Sequence, residues 1–146
     1  MTGSTQVIRK MTLTQVSDKF SLDIIYAFGS RAQEVVKWVN EEISALRISS
    51  LSDIDIGVKP SAGKILSLRE KVHLSISFED LFAVNRLDLV VLPEADPFLA
   101  ANIIRGERIF CRDEHAADEY ELYILRRAGD LAPLERERMS LIMETD

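Results

Sequence analysis

Three carboxylates occupy positions where strand residues would ordinarily be apolar. Asp53 and Asp55 bracket Ile54, and Asp88 interrupts the run Leu87-Asp88-Leu89-Val90-Val91-Leu92. Side chains alternate across a strand, so Asp53 and Asp55 share one face while Ile54 and Ile56 take the other. Two acids on one face repel each other, and a divalent cation removes that repulsion. Mg2+ prefers a few carboxylate oxygens together with waters and substrate phosphates. Asp88, if its strand lies beside theirs, completes the donor set for a two-metal site that activates a hydroxyl and steadies a leaving pyrophosphate.

A second group lies upstream, at Phe28-Gly29-Ser30, where a strand end runs into a helix start. Glycine lets backbone approach a ligand closely, and the free N–H groups of a first helical turn face anions, with the Ser30 hydroxyl beside them. The dipeptide alone is weak: Gly3-Ser4 repeats it near the terminus. The ordered set carries the signal, namely strand-Gly-Ser-helix, then Ser-Asp-Ile-Asp opening a strand, then an aspartate inside the next apolar strand.

The elements that must position these groups follow from periodicity. Leu13, Val16, Phe20 and Leu22 suggest a short helix over 12–22, and Ile24 to Phe28 a strand ended by Gly29. Val35, Val36, Val39, Ile43 and Leu46 share one helical face. A helix over the whole of Ala32 to Arg47 would be about 24 Å long, and Ile48 to Ser52 can span at most about 17 Å on the way back. The helix is therefore expected to end by about Ala45, so that Asp53 can return beside Ser30. A second strand, Ile54 to Lys59, stops at Pro60. A mostly helical stretch follows from Lys64 to Phe82, with Ile65, Leu68, Val72 and Ile76 on one helical face; Leu74, Ile76 and Phe78 would equally suit a strand. Leu87 to Leu92 is a buried strand closed by Pro93. Pro97 begins a helix through Ile104, stopped at Gly106. Arg108 to Cys111 form a short strand, and helix follows, interrupted near Gly129 to Pro133. The expected fold is α+β (α/β-like): a small mixed β-sheet covered by helices, with a helical C-terminal tail. Residues 1–11 lack apolar periodicity and read as a flexible tail, leaving 12–146 as one domain.

Composition bounds the rest. The 146 residues, 47% apolar, suit a single core. No apolar run approaches bilayer length and no signal-peptide pattern opens the chain, which points to a cytoplasmic protein without a membrane partner. One cysteine excludes an intrachain disulfide and a zinc-thiolate cluster. A net charge of -6 disfavours direct nucleic-acid binding. Arg105, Arg108, Arg112, Arg126, Arg127, Arg136 and Arg138 could form a basic patch, but pairing with nearby glutamates is the favoured reading. His73 and His115 have no partner at a diagnostic spacing. Trp38 lies beside the apolar face of its helix and suits either an interface or the core's edge, and Tyr120 and Tyr123 suit the core.

The elements "AFGSRA", "SDIDIGV" and "RLDLVVL" resemble those of the polymerase-β-type nucleotidyltransferases, in particular the minimal nucleotidyltransferase (MNT) domains. The segment from "VLPEADPF" to "RRAGDL" is similar to the tail of MNT antitoxins, MntA-like members of MNT–HEPN toxin–antitoxin pairs. Together the resemblance covers residues 12–135. It implies transfer of a nucleoside monophosphate, usually AMP from ATP, to a hydroxyl, which in those pairs is a tyrosine of the HEPN toxin. It further implies that Asp53 and Asp55 bind Mg2+, two ions with nucleotide bound. Asp88 would bind the catalytic metal and help deprotonate the hydroxyl, and Gly29 and Ser30 would contact the phosphates. The chain departs from minimal members in the 22 residues from Arg31 to Ser52, a much longer spacing. Two other functions fit the same fold: a non-catalytic antitoxin that covers its partner, and transfer to a small hydroxylated molecule, for which little chain remains to build a substrate domain. Homo-oligomerisation is left open.

Overall fold

The computed structural model describes residues 2–47 and 53–144, with side chains described for 8–47 and 53–130. The elements run α1 (Thr2–Phe20), β1 (Leu22–Phe28), α2 (Ala32–Val39), β2 (Ile54–Pro60), α3 (Leu68–Phe82), β3 (Leu87–Val91), a 3-10 turn at Leu92–Glu94, α4 (Pro97–Ile104), β4 (Glu107–Cys111) and α5 (Glu114–Glu144). The strands form one mixed sheet in the order β3-β2-β1-β4. β2 and β4 each pair antiparallel with β1, and β3 pairs parallel with β2. The expected α+β fold, a mixed sheet under helices, is the one observed.

Alternation along the strands divides the apolar residues between two clusters. Ile25 and Ala27 of β1 and Ile54, Ile56 and Val58 of β2 face α1, α2 and α3, where Leu13, Val35, Leu74, Phe78 and Phe82 meet them. Ile24, Tyr26 and Phe28 face α4 and α5, against Ile103, Ile104, Ala117 and Ile124. Gly57 makes the second layer close: a Cβ there would stand 2.5 Å from Ile103 Cγ2, so only glycine lets α4 lie this near the sheet.

Several boundaries differ from the sequence expectation, and each has a local cause. Helix α1 starts at Thr2, within the stretch expected to be a flexible tail. Arg9 gives that stretch an anchor that apolar periodicity does not register. Its guanidinium lies 4.2 Å from the Trp38 ring centroid, pairs with Glu41 at 3.1 Å, and donates to the Trp38, Ile43 and Ser44 carbonyls. Trp38 is accordingly buried, edge-on to Phe82. Helix α2 ends at Val39, earlier than the limit of Ala45. Glu41 takes φ 62°, the Glu42 N–H donates to the Lys37 carbonyl and the Glu41 N–H to the Trp38 carbonyl, which is the Schellman closure with glutamate at the left-handed position. Ile43 and Leu46 still reach the core, but from the chain after the helix. The expected return segment, Ile48 to Ser52, lies outside the described residues.

Helix α3 resolves the ambiguity of its centre in favour of helix, opened by a capping box between Ser67 and Glu70. The helix begins at Leu68 and not at Lys64, so Ile65 lies exposed ahead of it; α3 buries Leu74, Phe78 and Phe82, and turns Leu68, Val72 and Ile76 to solvent. Helix α5 is uninterrupted to Glu144. Gly129 only weakens a helix, by about 1 kcal/mol, and a proline can kink one without ending it. Its first half is tied to the sheet by a charged network. The Tyr26 hydroxyl donates to Glu121 at 2.9 Å, and Arg108 donates to Glu114, Asp118 and Glu121. Burial and the Glu121 carboxylate push the Tyr26 phenol above its usual range. Arg108 and Arg112 are thus paired with acids, as the solvating reading expects, while the side chains of Arg136 and Arg138 lie outside the described residues. Tyr120 packs against the α4–α5 cluster, whereas Tyr123 is half-exposed. Among the described residues, no helix is long and apolar enough to cross a membrane.

Candidate active site

Sheet pairing brings two of the three aspartates side by side. Asp55 on β2 is the register partner of Asp88 on β3, and Phe28, the last residue of β1, is the register partner of Asp55 on the other side. Ile54 and Ile56 point into the α1–α3 cluster, so Asp55 points to the opposite face with Gly57, above which α4 lies. Asp88 shares that face, because its neighbours Leu87 and Leu89 pack with the first cluster. Burial, then the Asp88 carboxylate, then Asp53 raise the Asp55 acid above its ordinary value. This is the like-charge crowding that a cation relieves.

Asp53 stands apart from the pair in one respect. Its Oδ1 lies 3.4 Å from the Arg86 Nε, an ion pair across the β2–β3 edge. Among the described residues, no three His, Cys, Asp or Glu side chains are gathered closely enough to enclose a cation as they stand. Asp55 and Asp88 suit a divalent ion by donor type and by their mutual repulsion. Asp53 would join them only by giving up Arg86, an exposed partner.

Gly29 meets Asp55 directly. With φ +76° it occupies the left-handed region, and a Cβ built on it would stand 2.3 Å from the Asp55 Oδ2. The long segment between Ser30 and Asp53 therefore does not separate Gly29 from the Asp55 carboxylate. Helix α2 begins just beyond; the Ala32 N–H donates to the Gly29 carbonyl at 3.3 Å, and no side chain caps the N-terminus, so the Gln33 and Glu34 N–H groups remain for an anion. Gly29, Ser30 and Gln33 line an open cleft of about 350 Å³ with Asn102, Arg105 and Glu107. In that cleft the Gln33 amide donates to Glu107 at 2.6 Å, and Arg105 makes no ion pair among the described residues.

Asn102 and Arg86 carry no signal in the sequence, and Arg105 stood out there only as a member of a candidate basic patch expected to pair with glutamates. Nor was the clip that steers the chain back to β2 evident there. Buried Arg31 holds Glu34 through two bonds, at 3.1 and 2.8 Å, and donates to the Arg47 carbonyl, while the Arg47 N–H donates to Glu34 at 2.6 Å. Only the i, i+3 spacing of Arg31 and Glu34 hinted at it. Arg31 first, then Arg47, hold the Glu34 acid down to about 2. A depressed acid contributes stability that is complete above its unfolded value and lost as pH falls toward about 2. Glu34→Gln is expected to cost about 1–3 kcal/mol at neutral pH, and to flatten the acid limb of stability against pH, as denaturant titrations at stepped pH will measure.

Antiparallel β1–β2 with a Gly-Ser turn at its end, and acids in register on parallel β2 and β3, define a nucleotidyltransferase domain. The family model described as Polymerase beta, Nucleotidyltransferase matches residues 12–115, and the chain belongs to that family. Similar solved structures share the fold. A toxin–antitoxin structure with AMP-PNP superposes with TM-score 0.62 at 19% identity, covering 93% of this chain and 97% of that one. A tri-AMPylated Shewanella oneidensis HEPN toxin in complex with its MNT antitoxin provides another, with TM-score 0.60 at 18% identity, covering 96% and 98%. An MntA–HepT toxin–antitoxin structure gives 0.59 at 18%, covering 94% and 97%. No curated protein matches the chain significantly.

Proposed function

We propose that this chain is the antitoxin of an MNT–HEPN pair and transfers AMP from ATP to a hydroxyl, a tyrosine of its HEPN-type toxin. The observation that carries this is the register of Asp55 with Asp88, with Gly29 packed against the Asp55 carboxylate. The similar structures support the partner and the nucleotide, since one contains AMP-PNP and another an AMPylated HEPN toxin.

Asp55 and Asp88, joined by Asp53, would hold Mg2+, two ions with nucleotide bound, which supplies charge neutralisation for the phosphates and the attacking oxygen. Asp88 lies exposed on the edge strand, where an incoming hydroxyl can reach it, and takes the hydroxyl proton. The acceptor oxygen forms a bond to the α-phosphorus as the bond to the pyrophosphate oxygen breaks. Ser30 and the uncapped start of α2 orient the phosphates, and Arg105, which lines the same cleft, supplies a cation for the departing pyrophosphate.

A second reading, an antitoxin that neutralises by covering its partner, draws on the Asp53–Arg86 ion pair, which leaves the acids short of a closed metal cage. Incubation with MgATP and the protein encoded beside this one separates the two. The enzymatic reading predicts AMP adducts on the partner by intact-mass spectrometry, lost with Asp53→Ala. Neutralisation without an adduct, unchanged by Asp53→Ala, would establish the covering mechanism instead.

A further inference from the structure

Among the described residues β3 lies at the edge of the sheet, with β2 on one side and no strand on the other. The Arg86 carbonyl accepts from the Ile54 N–H, so alternation turns the main-chain groups of Asp88 and Val90 toward β2. The N–H and C=O of Leu87 and Leu89 then point outward, without a ladder partner among the described residues. Beside this edge an open groove of about 350 Å³ runs between β3 and α3, lined by Leu87, Leu89 and Val91 on one wall and Val72 and Ile76 on the other. Val72 and Ile76 are each 49% exposed and belong to the apolar stripe that α3 keeps in solvent. Asp88 stands in the same groove lining, so the groove is continuous with the candidate active site.

We propose that the acceptor segment of the partner protein docks here as an added β-strand, which brings its hydroxyl side chain opposite Asp88. This inference rests on the nucleotidyltransferase reading above. The occupant's pattern follows from the period of two. A residue facing the carboxylates puts its immediate neighbours on the other face, over Val72 and Ile76, so those neighbours are apolar. Main-chain pairing supplies Leu87 and Leu89 with the bonds the edge lacks, which a side-chain contact alone would not. The charges in the groove point the same way. Lys71 is paired with Glu94, whereas Glu79 has no cationic partner among the described residues, so a basic residue at the segment's end is complementary.

A synthetic heptapeptide tests this, with a central tyrosine flanked on each side by valine, then threonine, then lysine. A shifted control exchanges each valine with its neighbouring threonine. Binding is read by fluorescence anisotropy in the presence of Mg2+ and AMP-PNP, and AMP transfer to the tyrosine by mass spectrometry with MgATP. The heptapeptide is expected to bind and accept AMP, with binding weakened about tenfold or more by the shift or by Val72→Asp with Ile76→Asp. AMP-PNP affinity should stay unchanged in that double variant. N-methylation of alternate peptide nitrogens should abolish binding in one phase and spare it in the other. Equal effects of the two phases, or partner AMPylation undiminished in the double variant, would overturn the docking mode while leaving the enzymatic reading intact. Failure of the unmodified chain to bind AMP-PNP would instead remove the reading on which it rests.

Discussion

Asp55→Asn is expected to abolish nucleotidyl transfer while leaving the metal-free protein as stable as before, or more so. Removing a carboxylate that anchors the cation and neutralises transition-state charge sacrifices several kcal/mol, a rate loss of at least about 10³-fold. The stability effect has the opposite sign. Burial, Asp88 and Asp53 raise the Asp55 acid in the folded chain, so folding disfavours its ionisation, and the carboxylate destabilises the metal-free fold above that range. An amide keeps the shape and carries no charge. Thermal unfolding in EDTA should therefore show an unchanged or raised Tm, and initial rates with MgATP the loss. A clear fall in the metal-free Tm would mean that the acid is structural.

Gly29→Ala is expected to lose activity by another route. The left-handed φ of +76° costs an alanine about 1–2 kcal/mol, and the new Cβ cannot coexist with Asp55 Oδ2 at 2.3 Å. The carboxylate has to leave its place beside Gly29, and a displacement of about 1 Å in a reacting group can cost about 10²-fold. Stability should fall modestly and reversibly, while transfer and AMP-PNP affinity fall together. Denaturant titration and calorimetric binding distinguish this from general misfolding. Ser30→Ala, which meets neither obstacle, should retain the fold fully.

Much of this geometry was legible because local and tertiary demands agree. The apolar runs at Ile54 to Val58 and Leu87 to Val91 leave a carboxylate little reason to be there except chemistry, and Pro97 and Gly106 mark the limits of α4. Helix ends were harder to place. Ser21, Glu41 and Ala83 all take left-handed conformations that glycine would have advertised. The core face of α3 was concealed by having two apolar stripes, of which periodicity cannot choose one. The larger rings of Phe78 and Phe82 went inward, stacked on each other at 6.0 Å. In α1, Arg9 orders its surroundings through carbonyls and a ring, a role that depends on residues about thirty positions away.

The candidate site divides along the same line. That Asp53 and Asp55 alternate with isoleucines is a property of one strand and can be read directly. The adjacency of Asp55 and Asp88 depends on parallel pairing in one register, and a slip of one residue would put Asp88 on the α3 face. The contact between Gly29 and Asp55 depends on antiparallel β1–β2 pairing, and it survives the long segment because the Arg31–Glu34–Arg47 clip holds the returning chain close. The Asp53–Arg86 pair was invisible beforehand, since their proximity exists only once β3 lies beside β2.

Whether Asp55 and Asp88 hold the metal while Gly29 and Ser30 hold the phosphates is decided by anomalous diffraction from crystals grown with Mn2+ and AMP-PNP. Manganese is expected between the Asp55 and Asp88 carboxylates, with Asp53 turned from Arg86 toward it and the phosphate chain at the start of α2. Manganese elsewhere, or nucleotide bound away from Gly29 with the Asp53–Arg86 pair intact, would contradict these assignments.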